Sequence, residues 1–292
     1  MSAHSAKYIC TPTTGSMRYV LPVAGLVLFL LAWVAVTKLE LVNPNFLPSP
    51  KATFGALAEA FVDAPPQTLV EGTKGEWRDI QPGWDTFVHS SAIQGAGFSL
   101  KRIFLALFWA CLFGVPIGIF MGAFGWFESL LQALVMPMRN APIMAFAPLF
   151  ILIYGIEEQM KISFLAFGTI VFIIPAAFDA VRNVPPLIID KAVDMGFRPM
   201  GTLWYYVLPS ALPRLWDGIR LCTGVAWTYL VAAEVMNVTT GLGAMEANAQ
   251  RFQNTPRVYA AILIILILGV LSDYLFRVIK KVVPMLNQGS EA

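Results

Sequence analysis

Six segments, at residues 20–36, 103–124, 141–156, 162–181, 215–236 and 258–279, are dominated by apolar side chains. Inside hydrocarbon a backbone has no water to bond, so such a segment must close its own hydrogen bonds as a helix. About 20 mostly apolar residues cross roughly 30 Å of hydrocarbon. The chain is therefore expected to be an all-α membrane protein with about six transmembrane helices. The third segment extends backwards through 130–138, with a break at Arg139-Asn140-Ala141-Pro142. A cleavable export signal at 20–36 is disfavoured, because Asn43-Pro-Asn-Phe-Leu-Pro-Ser-Pro50 follows it rather than a small-x-small site.

Composition agrees. The 292 residues are 57% hydrophobic and 13% charged, where a soluble domain carries about 25% charge. A net charge of +2 gives no basic surface for nucleic acid. Cys10, Cys111 and Cys222 are too scattered for a disulfide framework or metal site, and His4 and His89 are the only histidines. No G-x-x-x-x-G-K-[ST] loop and no Ser/His/Asp or paired-carboxylate set is present. The chain is expected to be no enzyme, with no metal site and no cofactor of its own.

Lysine and arginine in short flanks orient a membrane chain. With both termini cytoplasmic, ten such residues lie inside and three, Lys161, Arg251 and Arg257, lie in short outside loops. The outside segment 37–99 has two parts. Residues 48–61 read as a helix with proline in its first turn and with Phe54, Leu57, Ala58 and Phe61 on one face. Residues 64–99 read as an irregular loop, with Trp77 and Trp84 as interfacial anchors.

Three features stand out within the spans and their loops. Gly114, Gly118 and Gly122 repeat every fourth residue, a flat stripe that lets another backbone approach. Arg220, Gly224, Trp227, Val231 and Glu234 fall within about 80° of arc on span five. Ionisable groups in a membrane face a bundle interior or a watery cavity. This face therefore either lines a path or gate, or carries Arg220 and Glu234 as structural partners. Asp179 and Asp273 read as structural, near the cytoplasmic ends of their helices. The third feature is the loop 183–213. Residues 187–195 form a helix with Asp190 near its start and Gly196 at its left-handed end. Residues 202–208 form a second short helix, stopped by Pro209 and Pro213.

That loop, Asp190-Lys-Ala-Val-Asp-Met-Gly196, then nine residues, then Tyr206-Val-Leu-Pro209, resembles the E-A-A-x-x-x-G…I-x-L-P loop of ABC importer permeases. Asp190 stands for the glutamate, Lys191 and Ala192 for the alanines, Gly196 for the glycine and Tyr206 for the isoleucine, while Leu208 and Pro209 match. Lys191 and Tyr206 depart from the pattern. Phe46-Leu-Pro-Ser-Pro50, Ser99-Leu-Lys-Arg102, Gly218-Ile-Arg-Leu221, Val231-Ala-Ala-Glu234 and Gly241-Leu-Gly243 are similar to the nitrate/sulfonate/taurine/bicarbonate permease branch, over about residues 45–283. The resemblance implies a type I importer bundle in a bacterial inner membrane. It implies a second permease copy or paralogue, ABC ATPase subunits that hold ATP and magnesium, and a periplasmic or lipid-anchored solute-binding protein. It implies that Asp190, Ala192, Gly196, Tyr206, Leu208 and Pro209 couple the bundle to the ATPase, and that a small anion crosses. The expected organisation is a tail at 1–19, a first span at 20–36, an external segment at 37–99, a core at 100–283 and a tail at 284–292. A secondary transporter or channel without an ATPase is the alternative, and the absence of an inverted repeat argues against it.

Overall fold

Helix ends follow local chemistry. The computed structural model describes residues 17–43, 45–62, 90–236 and 239–287, and the regular structure among them is helical. α1 (Met17–Lys38) is apolar on every side and its most apolar stretch is 0% buried by the rest of the chain, as lipid-facing surface would be. It touches the bundle where Trp33 donates its indole N–H to the Pro48 carbonyl at 3.1 Å. α2 (Pro50–Ala60) is capped by Ser49, whose hydroxyl accepts from the Ala52 amide. α3 (Ser91–Ala123) is capped by Ser90 in the same way. α4 (Gly125–Met138) is followed by a 3-10 turn (Ile143–Phe146) and α5 (Ala147–Tyr154), and this pair is bent by 94°. α6 (Glu158–Arg182) leads through Pro185 into α7 (Pro186–Asp194). α8 (Pro199–Thr202), a π-helical segment (Leu203–Val207) and α9 (Leu208–Met236) run on without a gap. α10 (Leu242–Arg251), α11 (Thr255–Val282) and α12 (Pro284–Asn287) complete the described residues. Among the described residues, five runs are long and apolar enough to span a membrane, and the bent pair makes up to six.

α6 is the axis of the bundle: 67% of its most apolar stretch is buried, against 11% for α11. The three glycines of α3 face it. A Cβ at Gly114 would stand 3.0 Å from Ile170 and Ile173, one at Gly118 would meet the Ile174 carbonyl and Ala177, and one at Gly122 would stand 2.8 Å from Val181. The stripe is used within the chain, where the absent side chains bring two helix backbones together. On α6's other flank, Gly218 of α9 rests on Ala176, with 2.9 Å from a would-be Cβ. The core between these helices holds Ile103, Ala106, Phe164, Leu165, Trp227 and Leu230.

Several expectations are corrected. The second span starts at Ser91, not near 103, so the last part of the supposed loop 64–99 is helix. Pro65-Pro66 and five glycines, Gly95 and Gly97 among them, made the whole segment read as irregular. Gly95 is there because Leu242 lies 3.3 Å from where its Cβ would be. Residues 63–89, with Trp77 and Trp84, lie outside the described residues. On α2 the buried face is Thr53 and Ala60 with Leu57 beside them, while Phe54 and Ala58 stay exposed. Of the expected apolar face, Leu57 and Phe61 pack against the core and Phe54 and Ala58 do not. Pro209 and Pro213 do not stop the second loop helix, which continues into span five. The π turn before Pro209 loosens the ladder where proline's missing N–H would interrupt it.

Candidate functional site

The loop between α6 and α9 is a knob at one end of the bundle. Pro186 begins α7, where a missing N–H costs nothing. The helix ends in a paired-bond cap: the Gly196 amide donates to the Val193 carbonyl at 2.8 Å and the Phe197 amide to Ala192 at 3.1 Å. Gly196 takes φ +80°, where an L side chain is unfavourable. Phe197 then meets Tyr206 edge-on, ring centroids 5.0 Å apart, and the Tyr206 hydroxyl reaches the Met195 sulfur at 3.5 Å. Ala192 is the fully buried residue of α7, while Asp190 is exposed. One correction follows. Asp190 sits in the second turn, not the first, where the helix-dipole field has largely fallen off. Leu208 and Pro209 open α9, half-buried. The rest of the knob is apolar yet uncovered: Leu187 is 62% exposed, Val193 60%, Met195 60%, Trp204 55% and Tyr205 73%.

The four polar or small residues of the span-five face share an arc but not an environment. Arg220 forms a two-pronged ion pair with Asp273 of α11, which also holds Arg277. Trp227 donates to the Ser272 hydroxyl at 2.9 Å, again on α11. Asp217 is bonded by Lys280 at 2.6 Å. Gly224, between them, is exposed, with no atom within 4 Å of a would-be Cβ. Glu234 points elsewhere. The face runs over about 21 Å of helix at 1.5 Å per residue, so different neighbours cover its two ends.

Glu234 lies at the centre of a buried ionic knot. It is 0% exposed and accepts from the Ser99 hydroxyl at 2.8 Å, Arg102 at 2.5 Å and the Gly243 amide at 2.8 Å. Arg102, 1% exposed, also grips both Glu158 oxygens, at 2.5 and 2.8 Å, and the Thr240 carbonyl at 2.8 Å. Lys161 adds Glu158 at 3.4 Å and Thr239 at 3.2 Å. Gly241, at φ +110°, and Gly243 leave room for the Glu234 carboxylate, which a Cβ at 241 would overlap. The knot joins α3, α6 and α9 to the start of α10. Sequence reading assigned no role to Arg102 and put Lys161 in an outside flank. The available signal was Arg102 on the Ser99–Ala106 face of a long apolar helix. On α10, outside the spans, partial burial raises the Glu246 carboxyl above its usual range.

No group of three or more metal-ligating side chains occurs among the described residues. Residues 114–283 match the family described as binding-protein-dependent transport system inner membrane component. The taurine transport system permease protein TauC of Escherichia coli (strain K12) is 33% identical over 91% of this chain and 89% of its own length. A putative aliphatic sulfonates transport permease protein SsuC of Bacillus subtilis (strain 168) is 33% identical over 63% of this chain and 66% of its own. Among solved structures, an inward-facing conformation of the MetNI methionine ABC transporter superposes with a TM-score of 0.60 at 21% identity, covering 65% of this chain and 94% of that one. That likeness bears on the fold.

Proposed function

We infer the function from a fixed premise: this chain belongs to the family of binding-protein-dependent transport system inner membrane components. It is an ABC importer permease of the inner membrane with a type I bundle, and ATP hydrolysis in this family lies in a separate subunit. Beyond that premise, the reading is as follows. Two copies form the pathway, with both termini cytoplasmic. An ATPase grips the knob at 183–213, and a periplasmic or lipid-anchored binding protein delivers the solute. The relatives named for taurine and aliphatic sulfonates favour a small sulfonate over nitrate or bicarbonate.

The observation that carries the ATPase assignment is the uncovered apolar surface of the knob. Leu187, Val193, Trp204 and Tyr205 are each more than half exposed beside a backbone fixed by the Gly196 cap. Apolar side chains held on a rigid framework gain by being covered, at roughly 25 cal/mol per Å². The rigidity also serves transmission: a knob passes on a push only if its halves keep their angle, and Phe197 against Tyr206 holds that angle. Val at position 196 would strain the left-handed turn by roughly 1 kcal/mol. Gly196→Val is expected to uncouple or detach the ATPase, read by pull-down and by solute-stimulated ATP hydrolysis in reconstituted membranes. Asp190→Ala, at an exposed unpaired site, is expected to weaken assembly only in part. Normal pull-down and hydrolysis by Gly196→Val would overturn the coupling assignment.

A further inference from the structure

We propose that a cavity at the broken span binds a small zwitterion, with Arg139 taking a sulfonate-type anion and Asp179 taking an ammonium group. The proposal rests on the sulfonate-importer reading above and sharpens it to amino-sulfonates. Arg139 closes α4 at the point where the span breaks and turns by 94°. Arg139 lines a cavity there. The cavity has a volume of about 190 Å³ and lies between the break, α6 and α9. That is far more than the roughly 15 Å³ a single water needs.

Of its nine lining residues, Arg139 and Asp179 are the charged ones. Both are exposed, and neither makes an ion pair or side-chain hydrogen bond among the described residues, with each other or with anything else. Neighbouring charges behave differently. Arg220 takes Asp273, Lys280 takes Asp217 and Arg182 takes Glu128. An arginine and an aspartate that both line one small cavity without pairing are placed to be bridged by a ligand carrying both charges. The rest of the lining is mostly apolar, with Phe172, Pro175 and Val225, which suits a short alkyl link. Leu221, 72% exposed, stands at the rim next to the open face at Gly224.

The test reads occupancy at that rim. Leu221→Cys is made in the full chain with its three native cysteines replaced by alanine, and its labelling by a neutral maleimide is followed in membrane vesicles. Taurine is expected to slow labelling. Ethanesulfonate, lacking the ammonium, and ethylamine, lacking the sulfonate, should need roughly tenfold higher concentration, the usual loss for one charge-assisted contact. Arg139→Gln should make taurine no better than ethylamine, and Arg139→Lys should keep part of taurine's advantage. Asp179→Asn should make taurine no better than ethanesulfonate. Equal protection by all three probes, unchanged protection in either variant, or a thiol that never labels would overturn the proposal. ATPase co-purification from the same vesicles reads the importer assignment separately. Protection without an ATPase keeps the site and removes the importer reading, whereas an ATPase that co-purifies without protection removes the site alone.

Discussion

Arg102→Met asks whether the ionic knot is a closed, water-free structure. The substitution keeps the stem and removes the guanidinium from between two carboxylates. Glu158 is 52% exposed and rehydrates, so its lost contact costs little. Glu234 is 0% exposed and keeps only Ser99 and the Gly243 amide as donors. Removing one partner of a buried pair costs about 3–5 kcal/mol, because the other charge stays buried. The lower end applies here, since two donors remain and Lys161 is close to Glu158 at 3.4 Å. At about 2–4 °C per kcal/mol for a chain of this size, a loss of about 3 kcal/mol lowers Tm by about 6–12 °C. The assay is a melt of the purified chain in detergent, followed by thiol-dye reaction at Cys222, which is 5% exposed in the folded state. Arg277→Met serves as the control, because its pair with Asp273 is 58% and 34% exposed and is worth about 1 kcal/mol or less. Arg102→Met combined with Glu234→Leu should recover much of the loss, since a buried ion pair replaced by apolar groups is often neutral. A single variant melting within about 2 °C of wild type would show that water reaches Glu234 and that the knot is not closed.

The same melt tests the glycine stripe: Gly118→Ala would press a methyl onto the Ile174 carbonyl and Ala177, at a cost of about 1–3 kcal/mol, while Gly97→Ala, with nothing within 4 Å, should melt near wild type. Gly224→Leu fills open space on α9, so it should leave the melt unchanged and block uptake in reconstituted membranes; wild-type uptake would remove Gly224 from the pathway. Glu246→Gln should raise Tm at neutral pH. Burial raises this carboxyl in the folded state, so the folded chain holds its proton to higher pH and stability falls as pH rises through that window. The gain should disappear at acid pH, below the unfolded carboxyl's range, and a gain that persists there would point to packing instead of charge.

The six apolar segments carried their own answer, because a helix in hydrocarbon needs only length and apolarity, both local properties. The break after Arg139 and the left-handed turn at Gly196 were legible for the same reason: proline and glycine act on their own backbone. What the pattern could not carry was which neighbour each face meets. Arg220, Trp227 and Glu234 share an arc of one helix, yet two bind α11 and the third is buried against Arg102, 132 residues away in sequence. The start of α3 at Ser91 was hidden by Gly95, whose missing side chain makes sense only once Leu242 is packed beside it. Pro209 reads as a stop until the π turn that precedes it is seen. Periodicity states how a segment folds on itself. The partners that neutralise its charges, fill its glycine gaps or leave Arg139 and Asp179 facing one cavity come from segments far apart in the chain, and only tertiary packing brings them together.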